Sequence, residues 1–464
     1  MPEQLVLGVP PAVLELVQQG LLERAFHDGL FPALQYRSEA QEEEWPANTG
    51  TEIFMSRPGL LTPRTKPLNP GEDPVPQTVN YEQWVARLAR YADTIDTHVP
   101  TSVVANADQF LRNIHQLGLQ SGQSLNRIPR NELFTAYLSG QTNLIAATAA
   151  IDTQIRVAAL NGFVDVVIRG QNVRPAPVST SHPLSITIQD APVITVNVIG
   201  FDPDDPDDPN GPGTLFLDAA VGAIVAVRTP VLSSARPLVI RSGGGDSVDA
   251  IGSADVFELQ DAINAVNRLR RANVSPHEDG YYHAHISTDG NSQVFTDAAF
   301  QRLNTALPDH VYYQEAFIGT IAGIAFFLNT ESPDSLNSGT RTATSANAFY
   351  SEDIGAETTN NTGVNIGRII VTGKGSIYER WLDEKQYVTE AGITGKVGEF
   401  TIVNQGVEVL TERIRLILRA PINRLQDVVA ATWSITTSFP IPSDVTSGGP
   451  QRFKRALVIE HALD

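Results

Sequence analysis

Two periods of apolar residues alternate along the chain and set its elements. After Pro10 and Pro11, residues Val13, Leu14, Val17, Leu21 and Phe26 recur at helical spacing. Pro11 suits a first helical turn and Pro32 closes the segment. Over residues 38–80 the period disappears and Pro, Glu and Thr take over, including the acidic block Glu42, Glu43 and Glu44. Strand candidates 52–56 and 78–85 flank turn signals at Thr49-Gly50-Thr51 and Pro58-Gly59, which predicts a long two-stranded hairpin with an extended tip. The tip, KPLNPGEDPVPQ at 66–77, holds four prolines in twelve positions. Proline withholds a backbone donor and fixes φ, so this stretch is neither helix nor central strand. It has too few apolar residues to pack as a domain. It is a disordered linker or an arm that reaches onto a neighbour.

From residue 101 the helical period returns. Val103, Ala107, Phe110, Ile114, Leu117 and Ser121 mark one face of a long helix over 101–128, with Thr101 or Ser102 as N-cap. Pro129 is expected to kink or end it, a second helical stretch covers 131–138 with Gly140 as its stop, and the Ala-rich 142–160 reads as another helix. Over 163–241 the period becomes two: Leu184, Ile186 and Ile188, then Ile194, Val196 and Val198. This is a compact β unit that looks inserted, at 178–241, with Gly243, Gly244 and Gly245 at its end. An amphipathic helix follows over 254–274 (Val256, Leu259, Ile263, Val266, Leu269), with Arg268, Arg270 and Arg271 complementing its C-terminal dipole. Beyond it, strands in DGYYHAHIST, GIAFFLNTE, IGRIIVTG, RIRLILRAPI, TWSITTSF and RALVIEHAL alternate with long polar loops. The loop 329–363 is long enough to argue for a functional or interface role. The class is α+β.

Composition narrows the function. At 464 residues the chain has room for two to four domains. No run approaches the eighteen apolar residues of a membrane span, and the acidic N-terminal stretch argues against a secretory signal. Having no cysteine excludes disulfides, thiol catalysis and cysteine-ligated zinc. A net charge of −19 argues against chain-wide affinity for a nucleic-acid backbone, although a container for nucleic acid benefits from weak adhesion. Of 33 basic residues only Lys66, Lys374, Lys385, Lys396 and Lys454 are lysines. Arginine is favoured in buried protein–protein contacts, and a GC-rich genome yields the same bias.

Motifs for chemistry are weak. The loop DPDDPDDPNGPG after Phe201 suggests calcium, but the glycine and glutamate spacing of an EF-hand is missing, and a solvated acidic loop accounts for it. The triple glycine is followed neither by Gly-Lys-Ser/Thr nor by a helix-opening GxGxxG, so a hinge is the reading there. His283 and His285 share a strand face near His277, Glu278 and Asp279, which makes a metal-dependent enzyme an alternative. Neither an HExxH helix nor a GxSxG elbow accompanies them. No catalytic centre and no cofactor site is expected.

What stands out is the order of parts: arm, hairpin, long helix, inserted β unit, long loops. That order resembles the major capsid proteins of tailed bacteriophages, the Hong Kong 97-type fold. Local stretches are similar to the short-tailed-phage branch with an inserted domain: SPHEDGYYHAHISTD (275–289), EAFIGTIAGIAFFLNTES (315–332), and APINRLQDVVAATWSITTSFPIPSD (420–444) followed by RFKRALVIEHA. The resemblance implies an N-terminal arm at 1–36, an E-loop hairpin at 37–80, and a P-domain with the spine helix at 81–177. It further implies an inserted β domain at 178–241, an A-domain at 242–420 and returning strands at 421–464. In such a protein the hairpin lies across the adjacent subunit. Val13, Val17 and Leu21 of the arm, with Trp45, Ile53, Phe54 and Met55, would then supply apolar contacts. Arg64 and Lys66 would pair with the neighbour's acids, and Lys66 also invites comparison with the family variant that crosslinks through a hairpin lysine. The implied function is an icosahedral shell of hexamers and pentamers enclosing double-stranded DNA, built in the host cytoplasm with scaffolding, portal and decoration partners and no membrane. An encapsulin-type compartment is the alternative of the same fold.

Overall fold

The computed structural model describes residues 24–26, 28, 35–46, 49–59, 61–69, 71, 73–98, 109–168, 172–206, 208–306, 319–329, 363–382, 394–397, 400–403, 406–411, 414–419, 428–445 and 451–463. Their contacts form two compact units, each discontinuous in sequence. The arm residues Val13, Val17 and Leu21, the interior of the loop 329–363 and the expected N-cap at 101–102 lie outside the described residues.

The first unit takes its described residues from Met1–Ile53, Val85–Arg130 and Ile377–Pro440. Helix α1 spans Gln109–Tyr137 and places Ile114, Leu117 and Leu125 on one stripe. That stripe packs on Ile414, Leu416, Val429, Ala431, Trp433 and Ile435, the inward positions of two sheet strands, and Phe26 closes the cluster. The helix accommodates the chain at 24–26 through a glycine: a Cβ on Gly118 would lie 2.3 Å from the Phe26 carbonyl oxygen. Its polar residues act as pins. The Trp433 indole donates to Gln120 Oε1 at 2.6 Å, and the Gln35 and Tyr36 amides donate to Asn126 Oδ1. Pro129 sits inside the helix without ending it, and the two helical stretches foreseen on either side are one element.

The sheet beneath has eight strands, with Val428–Ser438 at its centre. Ala89–His98, a strand with no sequence signal because its inward positions carry few apolar residues, pairs with it over ten positions. The acidic block also became a strand, Gln41–Glu44, parallel to Tyr378–Trp381, where Arg380 pairs with Glu43. Glu379 of that strand is fully buried and held by the Arg37 guanidinium, with the closest N–O distance 2.7 Å.

The second unit takes its described residues from Phe54–Trp84, Asn131–Ser376 and Ile441–Asp464. It contains a six-stranded antiparallel sheet in the order Gln141–Asn143, Pro230–Ser233, Leu184–Ile188, Ile194–Pro203, Gly213–Leu217, Gln154–Val157. Ile155, Val157, Ile186, Val198, Leu215 and Val231 fill its core. The helix expected at 142–160 is absent; two strands stand there. Alternating burial over Gln154–Val157, with Ile155 and Val157 inward, outweighs the helix propensity of the neighbouring alanines. The β sheet therefore draws strands from 141–157 as well as from the stretch 178–241.

A second six-stranded sheet runs Val239–Arg241, Ala456–Ala462, Ile366–Thr372, Tyr282–Ile286, Ile324–Leu328, Thr320–Ile321. Helix α2, Leu259–Arg271, covers it with Ala262, Ala265, Val266 and Leu269. It begins five residues later than the apolar pattern suggests, because Glu258 and Asp261 form a capping box at that point. Helices α3 (Thr288–Thr296) and α4 (Ala298–Ala306) follow. Both central strands, Ile366–Thr372 and Ala456–Ala462, are buried at every position, so Glu460 carries its charge indoors. Arg241 at 2.9 Å and Arg368 at 3.1 Å neutralise it. Gly243, Gly244 and Gly245 turn the chain after the first strand with φ of 75°, 86° and 101°, a conformation that only glycine adopts cheaply. That explains the triple glycine without a phosphate.

Candidate assembly surface

The hairpin is the feature that the fold does not consume. Glu52–Pro58 and Tyr81–Arg87 run antiparallel, bracketed by two bonds: Gly59 N–H to Asn80 O at 2.7 Å and Leu88 N–H to Thr51 O at 2.9 Å. In that register Glu52 faces Arg87 and Arg57 faces Glu82, and both pairs make ion pairs at 2.9 Å. Tyr81–Arg87 continues the sheet through Asn172–Pro177 to Asp165–Ile168.

Strand alternation sorts the side chains. Met55, Glu82, Trp84 and Ala86 turn inward and are buried; Phe54 turns outward and is 70 % exposed. The inward charges have partners. Arg57 also pairs with Asp444, Arg455 reaches the same Asp444 oxygen at 3.0 Å, and Ser443 donates to Glu82 at 2.7 Å. Burial alone would lower the Arg57 pKa, but the charge of Asp444 and then of Glu82 outweighs it, so the net shift is upward. The guanidinium lies 5.8 Å from the Trp84 ring centroid. Sequence inspection passed over this network. The signal was present in YEQWV, where Glu82 shares the parity of Trp84 and so had to be buried with it.

Beyond Gly59 the two arms leave the sheet. Every described residue from 61 to 78 is exposed, including Leu61, Leu68 and Val75 at 52, 52 and 72 %. The arms stay extended side by side, and Gln77 Nε2 donates to Thr62 O at 3.0 Å. Proline density explains the form: with few donors and fixed φ the tip has no ladder to join.

Of the residues expected to contact a neighbour, Phe54, Arg64 and Lys66 are exposed on this hairpin and Ile53 is half-buried. Trp45 and Met55 are not exposed on it. Trp45 is buried, its indole donating to Gly50 O at 3.1 Å, and Met55 is buried on the inner face. Their apolar area is already used inside the chain. Leu61, Leu68 and Val75, which are not among the residues expected to make contact, present more apolar surface.

The histidines resolve differently. His283 and His285 share a face of Tyr282–Ile286, as alternation requires. His283 stacks on His277 with ring centroids 4.0 Å apart and has Nε2 2.9 Å from Asp279 Oδ2. His285 is 1 % exposed and stacks on Phe327. The acidic run forms the connection between Ile194–Pro203 and Gly213–Leu217, where Asp204 pairs with Arg156.

No family model and no curated protein matches the chain. Solved structures do. The capsid of the cyanophage P-SCSP1u is similar at 10 % identity and a TM-score of 0.45, covering 92 % of this chain and 88 % of that one. The cyanophage Pam1 capsid asymmetric unit is similar at 10 % identity and a TM-score of 0.45, covering 94 % and 92 %. The capsid of Ralstonia phage GP4 is similar at 10 % identity and a TM-score of 0.44, covering 91 % and 87 %.

Proposed function

We propose that the chain is the major capsid protein of a tailed bacteriophage, a shell subunit and not an enzyme. The carrying observation is the hairpin: a projecting arm braced at its base by a five-residue polar network, with a bare tip on which Leu61, Leu68 and Val75 are exposed. A monomer gains nothing by holding Phe54, Leu61, Leu68 and Val75 in water on an extended strand pair. A neighbour that covers them does. Proline keeps the arm stretched, which lowers the entropy lost on docking and blunts wrong edge pairing.

In this reading the arms, spine helix α1 and two sheet units occupy the roles set out from the resemblance, and subunits join heterologously into rings of five and six that close into a shell. Arg64 and Lys66 meet acids of the neighbour. Double-stranded DNA is enclosed without sequence recognition, which suits a subunit of net charge −19. Scaffolding, portal and decoration proteins are the expected partners, the virion is the destination and the host cytoplasm is the place of assembly. No helix among the described residues is long and apolar enough to cross a membrane. The metal-enzyme reading rested on His283 and His285, and His285 is closed to solvent.

Negative-stain electron microscopy with light scattering tests the proposal on the purified chain, with and without a scaffolding partner. Closed shells or five- and six-membered rings support it. A compact monomer under both conditions overturns it.

A further inference from the structure

The C-terminal end of helix α2 borders a cavity of about 270 Å³. Small-ligand pockets start at about 300 Å³, so the space suits a ligand no larger than one ring with a charged head. Its floor is apolar, with Leu269, Ala456 and Leu457 buried. Its polar edge is cationic. Arg268 and Arg271 come from the helix, Lys454 comes from the segment before the strand Ala456–Ala462, and the described lining residues include no acid.

Arginines in the last turn of a helix ordinarily complement its dipole. Here the carbonyls that make that end negative are already bonded. Those of Arg268, Leu269 and Arg270 accept from the amides of Ala272, Val274 and Asn273, and Asn273 closes the helix with φ at 55°. Both guanidiniums are exposed, and neither they nor the Lys454 ammonium has a carboxylate partner among the described residues. By contrast Arg241, Arg368, Arg452 and Arg455 of the same unit each have one. Asp444 accepts from the Lys454 amide at 3.3 Å, but its charge is engaged by Arg57 and Arg455.

The cavity's aromatic wall is fixed beforehand. Phe453 keeps φ at 50°, costly for a side chain of this size, and its amide donates to Ser443 O at 2.8 Å. The Arg452 guanidinium lies 4.9 Å from the Phe453 ring centroid, and the Tyr137 ring meets it edge-on at 6.0 Å. A wall held by its own chain reduces the ordering cost of a ligand.

Three cations match the double charge of a phosphate monoester better than the single charge of a carboxylate, and arginine forks suit phosphate oxygens. We propose that this cavity binds a small phosphate monoester, its head on Arg268, Arg271 and Lys454 and its compact apolar body against Leu269, Leu457 and Phe453. The site lies within the second unit, goes beyond the shell reading and does not depend on assembly.

The test is calorimetric titration of the full-length chain, at matched ionic strength, with phenyl phosphate, inorganic phosphate, phenol and a short DNA duplex. Phenyl phosphate is expected to bind about tenfold more tightly than inorganic phosphate, and phenol not measurably. Two variants follow, their unfolding midpoints recorded without ligand. R268Q/R271Q/K454Q removes the charges. Ala272→Trp fills the cavity from an exposed lining position and leaves the charges in place. Each is expected to weaken phenyl phosphate at least about tenfold with an unchanged midpoint. No binding of phenyl phosphate, or equal binding in the variants, overturns the proposal. Phenol binding as tightly as phenyl phosphate overturns it in favour of an apolar cleft. Duplex DNA binding more tightly than phenyl phosphate, and weakened by R268Q/R271Q/K454Q but not by Ala272→Trp, overturns it in favour of a surface contact to the nucleic-acid backbone.

Discussion

Single residues show how this chain uses buried charge. His461 has no exposed surface, and its Nδ1 lies 3.0 Å from Ala462 O. Burial lowers its pKa to about 4, against smaller opposing effects of the Ala462 carbonyl and the Glu460 charge. In the unfolded chain an imidazole titrates near 6.5. The unfolded state therefore binds the proton first, and stability that is complete above pH 6.5 falls as the pH drops toward 4, by about 3 kcal/mol. Urea unfolding of the isolated chain at pH 7 and pH 4.5 measures the loss. His461→Asn should flatten that part of the curve, and an unchanged slope in the variant would remove His461 from the account. Arg57 makes a second case. Its removal takes from Glu82 its arginine partner and leaves Asp444 with Arg455. Arg57→Ala should destabilise the chain by about 3–5 kcal/mol, the range for a broken buried pair, read from the same denaturant midpoints. A loss below about 1 kcal/mol would mean the network is wetter than its burial indicates.

At the scale of elements, base and tip of the hairpin have separate duties. The base is stitched into the sheet and to Asp444; the tip touches little of its own chain. Replacing residues 61–78 by a short Asn-Gly turn should leave circular dichroism and the unfolding midpoint unaltered while abolishing assembly. Phe54→Glu should act in the same direction and more weakly, since one of several apolar contacts is lost. If the shortened chain assembles as well as the parent, the tip is a spacer and the arm is not the link between subunits. Analytical ultracentrifugation beside microscopy distinguishes these outcomes.

For the whole molecule, charge sets the conditions of association. Bringing together copies of net charge −19 costs repulsion that acts over roughly a Debye length, about 10 Å at 0.1 M salt and 30 Å at 0.01 M. Apolar arm contacts are not weakened by salt. The concentration needed for assembly should therefore fall as ionic strength rises from about 0.01 to 0.15 M, measured by light scattering at fixed pH. A requirement that rises over that range would place charge pairs, not apolar arms, at the centre of the subunit contact.

How much of this was legible in the residues differs by feature, for physical reasons. Strong periodicity is local, so the core strands around Ile186, Ile369 and Ile459, helix α2 and the stripe of α1 could be read directly. The hairpin and its stiff tip were also legible, because proline and turn residues act on their own φ and their own donors. Segments whose partner is distant were not. The strand Ala89–His98 exists because Val428–Ser438 offers it ten positions, and Gln154–Val157 is a strand because Gly213–Leu217 lies beside it. The burial of Trp45 and Met55 has the same origin: sequence shows that a side chain is apolar, and only the folded chain shows whether its own neighbours cover it. The Arg57–Glu82–Asp444 network joins residues 25 to nearly 400 positions apart, and no local pattern encodes that meeting. By itself the sequence determined the periods, the turns, the stiff arm and the acidic balance; tertiary structure decided which charges are buried together and which apolar surfaces remain for another copy.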